Sequence, residues 1–157
     1  MKIKVITLSD RAFKGEYEDL SGPEIVRILK EFNSGIDVET VVIPDDAKML
    51  KDELKKAKTS ELTAVFTTGG TGIGPRDITP EIVSEVCDKM VNGIMDMIRI
   101  KYGTEKPNAL LSRSVAGLMG NTLVYALPGS VKAVREYMTE ILRSFDHAVK
   151  MVKGEGH

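Results

Sequence analysis

The chain alternates short apolar runs with stretches whose apolar residues recur at helical spacing, and few folds accommodate that rhythm. Ile3–Leu8, Val38–Ile43 and Leu62–Thr67 read as buried strands. Between them Ile25, Ile28, Leu29 and Phe32 share one helical face. Pro23 is placed to open that helix, because proline in a first turn lacks only an amide that would have no partner there. Ala47, Leu50, Leu54 and Ala57 mark a second amphipathic helix. Thr79-Pro80-Glu81 has the form of a helix start, with Thr79 as the cap and Pro80 at the first helical position. Ile82, Val83, Val86, Cys87 and Met90 would supply its buried face. Another helix is expected over Ile94–Tyr102, and a long last one carries a stripe from Val131 through Met138 and Phe145 to Val152.

The segment SVAGLMGNTLVYAL breaks the alternation. Gly120-Asn121 lies between two strand-like runs and predicts a hairpin. The expected fold is therefore α/β and three-layered: a mainly parallel sheet, helices on both faces, and an antiparallel hairpin near the C-terminal part. A length of 157 residues with 42% hydrophobic and 29% charged composition suits one core, so we expect a single domain over residues 1–152 and a frayed tail over 153–157. The net charge of -1 carries no nucleic-acid footprint. Cys87, the only cysteine, excludes an intramolecular disulfide and fits a reducing compartment. MKIKVITLSD reads as a strand rather than a signal peptide, and no apolar run approaches a membrane span. These features predict a cytoplasmic protein with neither membrane nor nucleic-acid partner.

In such sheets ligands collect beyond the carboxyl ends of the strands. Four segments belong there: Ser9-Asp10-Arg11, Pro44-Asp45-Asp46, TTGGTGIGPRDITPE from Thr67 to Glu81, and Leu127-Pro128-Gly129-Ser130. Glycines admit a ligand close to backbone N–H groups, and a helix start beyond them favours an anion. The loop is not a P-loop, because no Gly-Lys-Ser/Thr follows. Nor is it the dinucleotide fingerprint, because Pro75 stands where the third glycine belongs. Taken alone it reads either as a phosphate cradle or as a tight strand-to-helix turn. Asp45, Asp46 and Asp77 have two readings as well: each could favour a helix N-terminus, and strand-end carboxylates beside a phosphate loop could hold Mg²⁺. Asp10 and Asp19 are weaker candidates. His147 and His157 lack metal-ligand spacing, Cys87 and the methionines read as core, and the lysines of KKAK read as a solvated face.

SDRAFKGEYEDLSGPEI, IPDD, TTGGTGIGPRDITPE and LSRSVAGLMGNTLVYALPGSVKAV, in that order, resemble the molybdopterin adenylyltransferases, the Mog/MoaB-like family of molybdenum cofactor biosynthesis. The resemblance runs from Lys4 to about Val149. It implies the molybdopterin-binding fold, and transfer of AMP from Mg-ATP to the phosphate of molybdopterin with release of pyrophosphate. It implies Asp45 and Asp77 as catalytic, Mg²⁺-holding acids. It places Ser9, Gly69, Gly70, Thr71, Gly72, Ser112, Pro128, Gly129 and Ser130 against substrate. It further implies a homotrimer, or a hexamer built from trimers, and a metal-insertion partner protein downstream. The Ala-Gly-Leu-Met hairpin and Met95–Ile98 offer apolar surface for such an assembly. Ala126 and Tyr102 depart from residues common in the family. The competing readings are an enzyme similar to the competence-damage-inducible protein domain, and a non-catalytic pterin-binding or scaffold module. Arg76 and LSRS argue against the first, intact Asp45 and Asp77 against the second.

Overall fold

Apolar side chains fill both faces of the central strands. Every residue of β3 (Ala64–Thr68) and β6 (Thr122–Leu127) is buried, as expected of parallel strands covered on both sides. A computed structural model describes residues 1–155. With β1 (Lys2–Leu8), β2 (Asp37–Ile43), β4 (Lys89–Met90) and β5 (Ala116–Met119), these strands form one sheet in the order β2-β1-β3-β6-β5-β4. β2, β1, β3 and β6 run parallel, while β5 and β4 are antiparallel to their neighbours. The α/β sandwich and its hairpin are thus as the sequence predicts.

The helices are α1 (Asp10–Phe13), α2 (Ser21–Phe32), α3 (Ala47–Thr59), α4 (Thr79–Val86), α5 (Asn92–Gly103) and α6 (Val131–Val152), with a 3-10 turn at Pro107–Leu111. One face of the sheet carries α2, α5 and α6. Their Ile25, Leu29, Met95, Ile98, Met138 and Phe145 enclose Phe66 and Tyr125, whose rings stack with centroids 5.1 Å apart. The other face carries α3 and α4, where Leu50, Leu54 and Val83 meet Ile6, Val65 and Val124. Among the described residues no helix is long and apolar enough to cross a membrane.

Several local expectations change. Pro23 lies in the first turn of α2, as expected, but is its third residue rather than its first. The Asp19 carboxylate accepts from the Ser21 and Gly22 amides, both at 3.0 Å, and starts the helix earlier. Met90 is not on α4: the helix stops at Val86, and the chain turns extended so that Asp88 and Val91 amides can bond the Leu118 and Ala116 carbonyls of β5. Ser9-Asp10-Arg11 is not an open loop, because Ser9 caps the short α1. Of the residues read as assembly surface, Met95, Ile98 and Met119 lie in this chain's own core, whereas Met97 is exposed, as is Ile100 beyond that stretch. In the expected tail, α6 ends at Val152; Gly156 and His157 lie outside the described residues.

Candidate active site

β3 ends in two glycines that hold positive φ, Gly69 at 99° and Gly70 at 65°. The first is obligatory on steric grounds, since a Cβ there would collide with the Leu8 carbonyl of β1. The Gly69 amide bonds the Leu127 carbonyl at 3.0 Å, and the Thr68 hydroxyl bonds the Pro128 carbonyl at 2.9 Å, so the loop leaves the sheet pressed against the Pro128–Ser130 turn. Thr79, expected as a helix cap, closes the loop instead. Its hydroxyl donates to the Gly69 carbonyl at 2.9 Å and its amide to the Gly70 carbonyl at 3.0 Å. Arg113 holds the far side through the Thr71, Gly72 and Asp77 carbonyls. After these bonds, the N–H groups of Gly70, Thr71, Gly72 and Ile73 have no protein acceptor among the described residues. A run of free amides in a glycine turn is an anion-binding concavity.

Two carboxylates flank that run. A Cβ on Gly70 would stand 3.5 Å from Asp45 Oδ1, and one on Gly72 would stand 2.7 Å from Asp77 Oδ2. The glycines therefore leave room for the acids as well as for a ligand. Asp45 is set by a reciprocal pair: its Oδ2 accepts from the Asp10 amide, and Asp10 Oδ1 accepts from the Asp45 amide, both at 3.0 Å. Arg76, from the glycine loop, grips Asp10 with Nε at 3.0 Å and Nη2 at 2.8 Å. Three strand-end segments are thereby joined. Burial, with the neighbouring Asp10 and Asp77 charges, pushes the Asp45 carboxyl above its ordinary value, while Arg76 holds that of Asp10 below. Asp77 Oδ2 accepts from the Gly74 amide at 2.8 Å, which closes a local turn and leaves Oδ1 uncommitted by that bond. Asp46, in contrast, caps α3 through the Met49 amide at 2.8 Å. The helix-terminus reading therefore fits Asp46, whereas Asp45 points to the glycine loop.

The expected substrate residues gather around the Pro128–Ser130 turn in three adjoining clefts. Gly69, Gly70, Thr71, Gly72, Asp77, Ser112, Pro128 and Gly129 line one of about 460 Å³. Ser112 and Pro128 also line a second, of about 280 Å³, with Arg99, Tyr102, Lys106, Tyr137 and Ser130. Ser9 belongs to a third, of about 300 Å³, with Tyr17, Asp19, Gly129 and Ser130. Ser9 and Ser130 also cap helices, accepting from the Ala12 and Ala133 amides at 3.1 and 3.2 Å. Ser112 Oγ lies 2.9 Å from Ser114 Oγ and accepts from the Tyr137 hydroxyl at 3.2 Å. A larger cleft of about 510 Å³ lies at the other end of the sheet, around Lys58, Glu61 and Asn121. It has no comparable set of free amides and acids, so chemistry rather than size picks the site. Asp10 is a weak candidate in the sequence, and nothing there singles out Arg113 or Tyr137. The arginine lay in plain view in LSRS, without a sign of what it holds.

A family model described as "Probable molybdopterin binding domain" matches residues 4–147. A molybdopterin adenylyltransferase of Helicobacter pylori (strain J99) is 36% identical, and the match covers 97% of this chain and 88% of that one. A gephyrin of Dictyostelium discoideum is also 36% identical over 98% of this chain, which spans only 23% of that longer protein. The crystal structure of the molybdopterin biosynthesis enzyme MoaB from Thermus thermophilus superposes with a TM-score of 0.88 at 36% identity, covering 98% of this chain and 96% of that one. Sequence, fold and strand-end loops agree that this chain belongs to the molybdopterin-binding domain family of molybdenum cofactor biosynthesis.

Proposed function

We propose that the protein transfers AMP from ATP to the phosphate of molybdopterin and releases pyrophosphate. One juxtaposition carries the reading: the free amides of Gly70–Ile73 lie beside the carboxylates of Asp45 and Asp77. Amides alone would suit an anion, and carboxylates alone would repel it. Together they suit a polyphosphate that arrives with a divalent cation. The donor set fits Mg²⁺, since the hard carboxylate oxygens of Asp45 and Asp77 face the loop and Mg²⁺ is commonly held by one or two carboxylates together with substrate phosphates. A cation there would take ligands from Asp45, Asp77 and the nucleotide phosphates. When bound, it supplies positive charge that lowers the repulsion between two phosphates and stabilises the one being transferred.

The chain's own part is positional. The loop amides hold phosphate oxygens, and Ser112 and Pro128, which line both of the first two clefts, border the route between them. An oxygen of the pterin phosphate attacks the α-phosphorus of ATP, the bond to the bridging oxygen breaks, and pyrophosphate leaves. The attacking phosphate is ionised at neutral pH, so no dedicated base is required. Gly69–Asp77 contains no lysine, in keeping with α rather than γ attack. We assign the protein to the cytoplasm and expect a homotrimer or a hexamer of trimers, with Met97, Ile100, Leu110 and Leu111 as exposed apolar residues available for contact. Its adenylylated product would pass to a metal-insertion partner. Purified protein mixed with Mg-ATP and molybdopterin should release pyrophosphate only when the pterin is present. Pterin binding without pyrophosphate release would instead make the domain a non-catalytic binder.

A further inference from the structure

We infer that Arg113 is a positioning residue that presets the phosphate-binding amides of the glycine loop. This rests on the phosphate-cradle reading above. One residue accounts for four bonds to a neighbouring segment. The Arg113 amide donates to the Thr71 carbonyl at 2.8 Å, Nε to the Gly72 carbonyl at 2.7 Å, Nη2 to the Asp77 carbonyl at 2.8 Å, and Nη1 to the Glu81 carboxylate in the first turn of α4. Its guanidinium is thus spent on the loop and its following helix.

The consequence follows from peptide geometry. In a trans peptide unit the N–H points opposite to the C=O of the residue before it. Drawing the Thr71 and Gly72 carbonyls toward Arg113 directs the Gly72 and Ile73 amides the other way. Those two belong to the run that lacks a protein acceptor, and both residues line the glycine-loop cleft. Holding the Asp77 carbonyl fixes the backbone from which the Asp77 carboxylate reaches the Gly74 amide. The backbone amide of residue 113 would keep the Thr71 carbonyl in any variant, but without the guanidinium the Gly72 carbonyl would be free to rotate into the cleft, where it would repel an anion. A lysine cannot replace it: an ammonium is a point charge, whereas the planar fork spans three acceptors at once.

That difference makes the inference testable without turnover. Inorganic pyrophosphate would be titrated calorimetrically, with Mg²⁺ present at one fixed concentration, into wild type, Arg113→Lys and Arg113→Ala. Amide hydrogen exchange of residues 70–73 would be followed with and without pyrophosphate, and thermal unfolding would report the fold. Wild type should bind, with protection of those amides. Both variants should bind at least about tenfold more weakly, with little added protection, because lysine keeps the charge but not the fork. Pyrophosphate affinity of Arg113→Lys within twofold of wild type would overturn the positioning role. Wild type that neither binds pyrophosphate nor protects these amides would overturn the phosphate-cradle reading, and this inference with it.

Discussion

The two ends of the sheet are built by different means. At the amino end, neighbouring segments meet mainly through backbone: the Asp37 amide bonds the Met1 carbonyl at 2.9 Å, Thr63 bonds Lys2 at 2.8 Å, and Leu123 bonds Thr63 at 3.2 Å. At the carboxyl end, side chains hold backbone. Asp10 and Asp45 exchange amides, Arg76 grips Asp10, and Thr68, Thr79 and Arg113 take loop carbonyls. Backbone pairing uses up donors and acceptors in equal number. Side chains that consume carbonyls leave amides over, and those surplus amides are what a phosphate can use. The same sheet therefore has one end that only closes the fold and one that is prepared for an anion.

The largest break in this contrast should come from the acids. Asp77→Asn and Asp45→Asn keep shape and can keep an acceptor for the Gly74 or Asp10 amide, yet lose the charge we propose to hold the cation. Each should cut adenylyl transfer about a hundredfold or more, as losses of charge stabilisation in a transition state do, with pterin binding and thermal unfolding little changed. Pyrophosphate release measured at saturating pterin would check this.

Glycine swaps then compare the ends at matched strain. Gly70 has φ of 65° and Gly120, in the hairpin turn, has 61°. Alanine at either costs about 1–2 kcal/mol from the left-handed backbone alone. At Gly70 the new Cβ would also lie 2.5 Å from Thr79 Oγ1, whereas at Gly120 it meets only the flexible Lys58 side chain at 3.5 Å. Gly70→Ala should therefore lose both stability and activity, and Gly120→Ala stability only. Thermal melts beside turnover assays would separate them. A smaller effect is expected for Thr122→Val, which removes the bond to the Leu62 carbonyl at 2.9 Å from a buried site. It should cost about 1–2 kcal/mol of stability in denaturant titration and leave turnover intact.

The smallest effect concerns an ion pair near the starts of α2 and α6, whose residues line none of the three clefts. Glu24 of α2 meets Arg27 at 2.8 Å and Arg135 of α6 at 2.6 Å. These guanidinium groups hold its carboxyl down at about 2, from an ordinary 4.5. A depressed carboxyl stabilises the fold above pH 4.5, and that stability is lost as pH falls toward 2. The melting difference between wild type and Glu24→Gln should be greatest near neutrality, shrink across that range, and have no counterpart in activity.

Periodic features were legible in the sequence. Strands β1, β2, β3 and β6, the helix stripes and the Gly120-Asn121 hairpin all show in local spacing. The glycine loop was visible too, because glycine chemistry is local, but local chemistry left Asp46 level with Asp45 and Asp77, and it was the family resemblance that separated them. Partnerships were not visible. Arg76 and Asp10 are 66 residues apart, and Arg113 reaches Gly72 and Asp77 across 41 and 36. No window on the chain links them; only the convergence of strand ends does. The same holds for Met90, whose apolar character fitted the α4 stripe until pairing with β5 drew it into a two-residue edge strand. Thr79 looked like a cap because cap residues and loop-closing hydroxyls are the same residue type. Its bonds to Gly69 and Gly70 depend on a loop path that spacing does not reveal.

We expect the carboxyl end of the sheet to direct the α-phosphate of ATP onto molybdopterin. ATP labelled at the α position and, separately, at the γ position would be incubated with the protein, Mg²⁺ and molybdopterin, and the pterin recovered. α label should appear on the pterin in amounts equal to the pyrophosphate released, with no γ label. Pterin carrying γ label, with ADP as the other product, would contradict it.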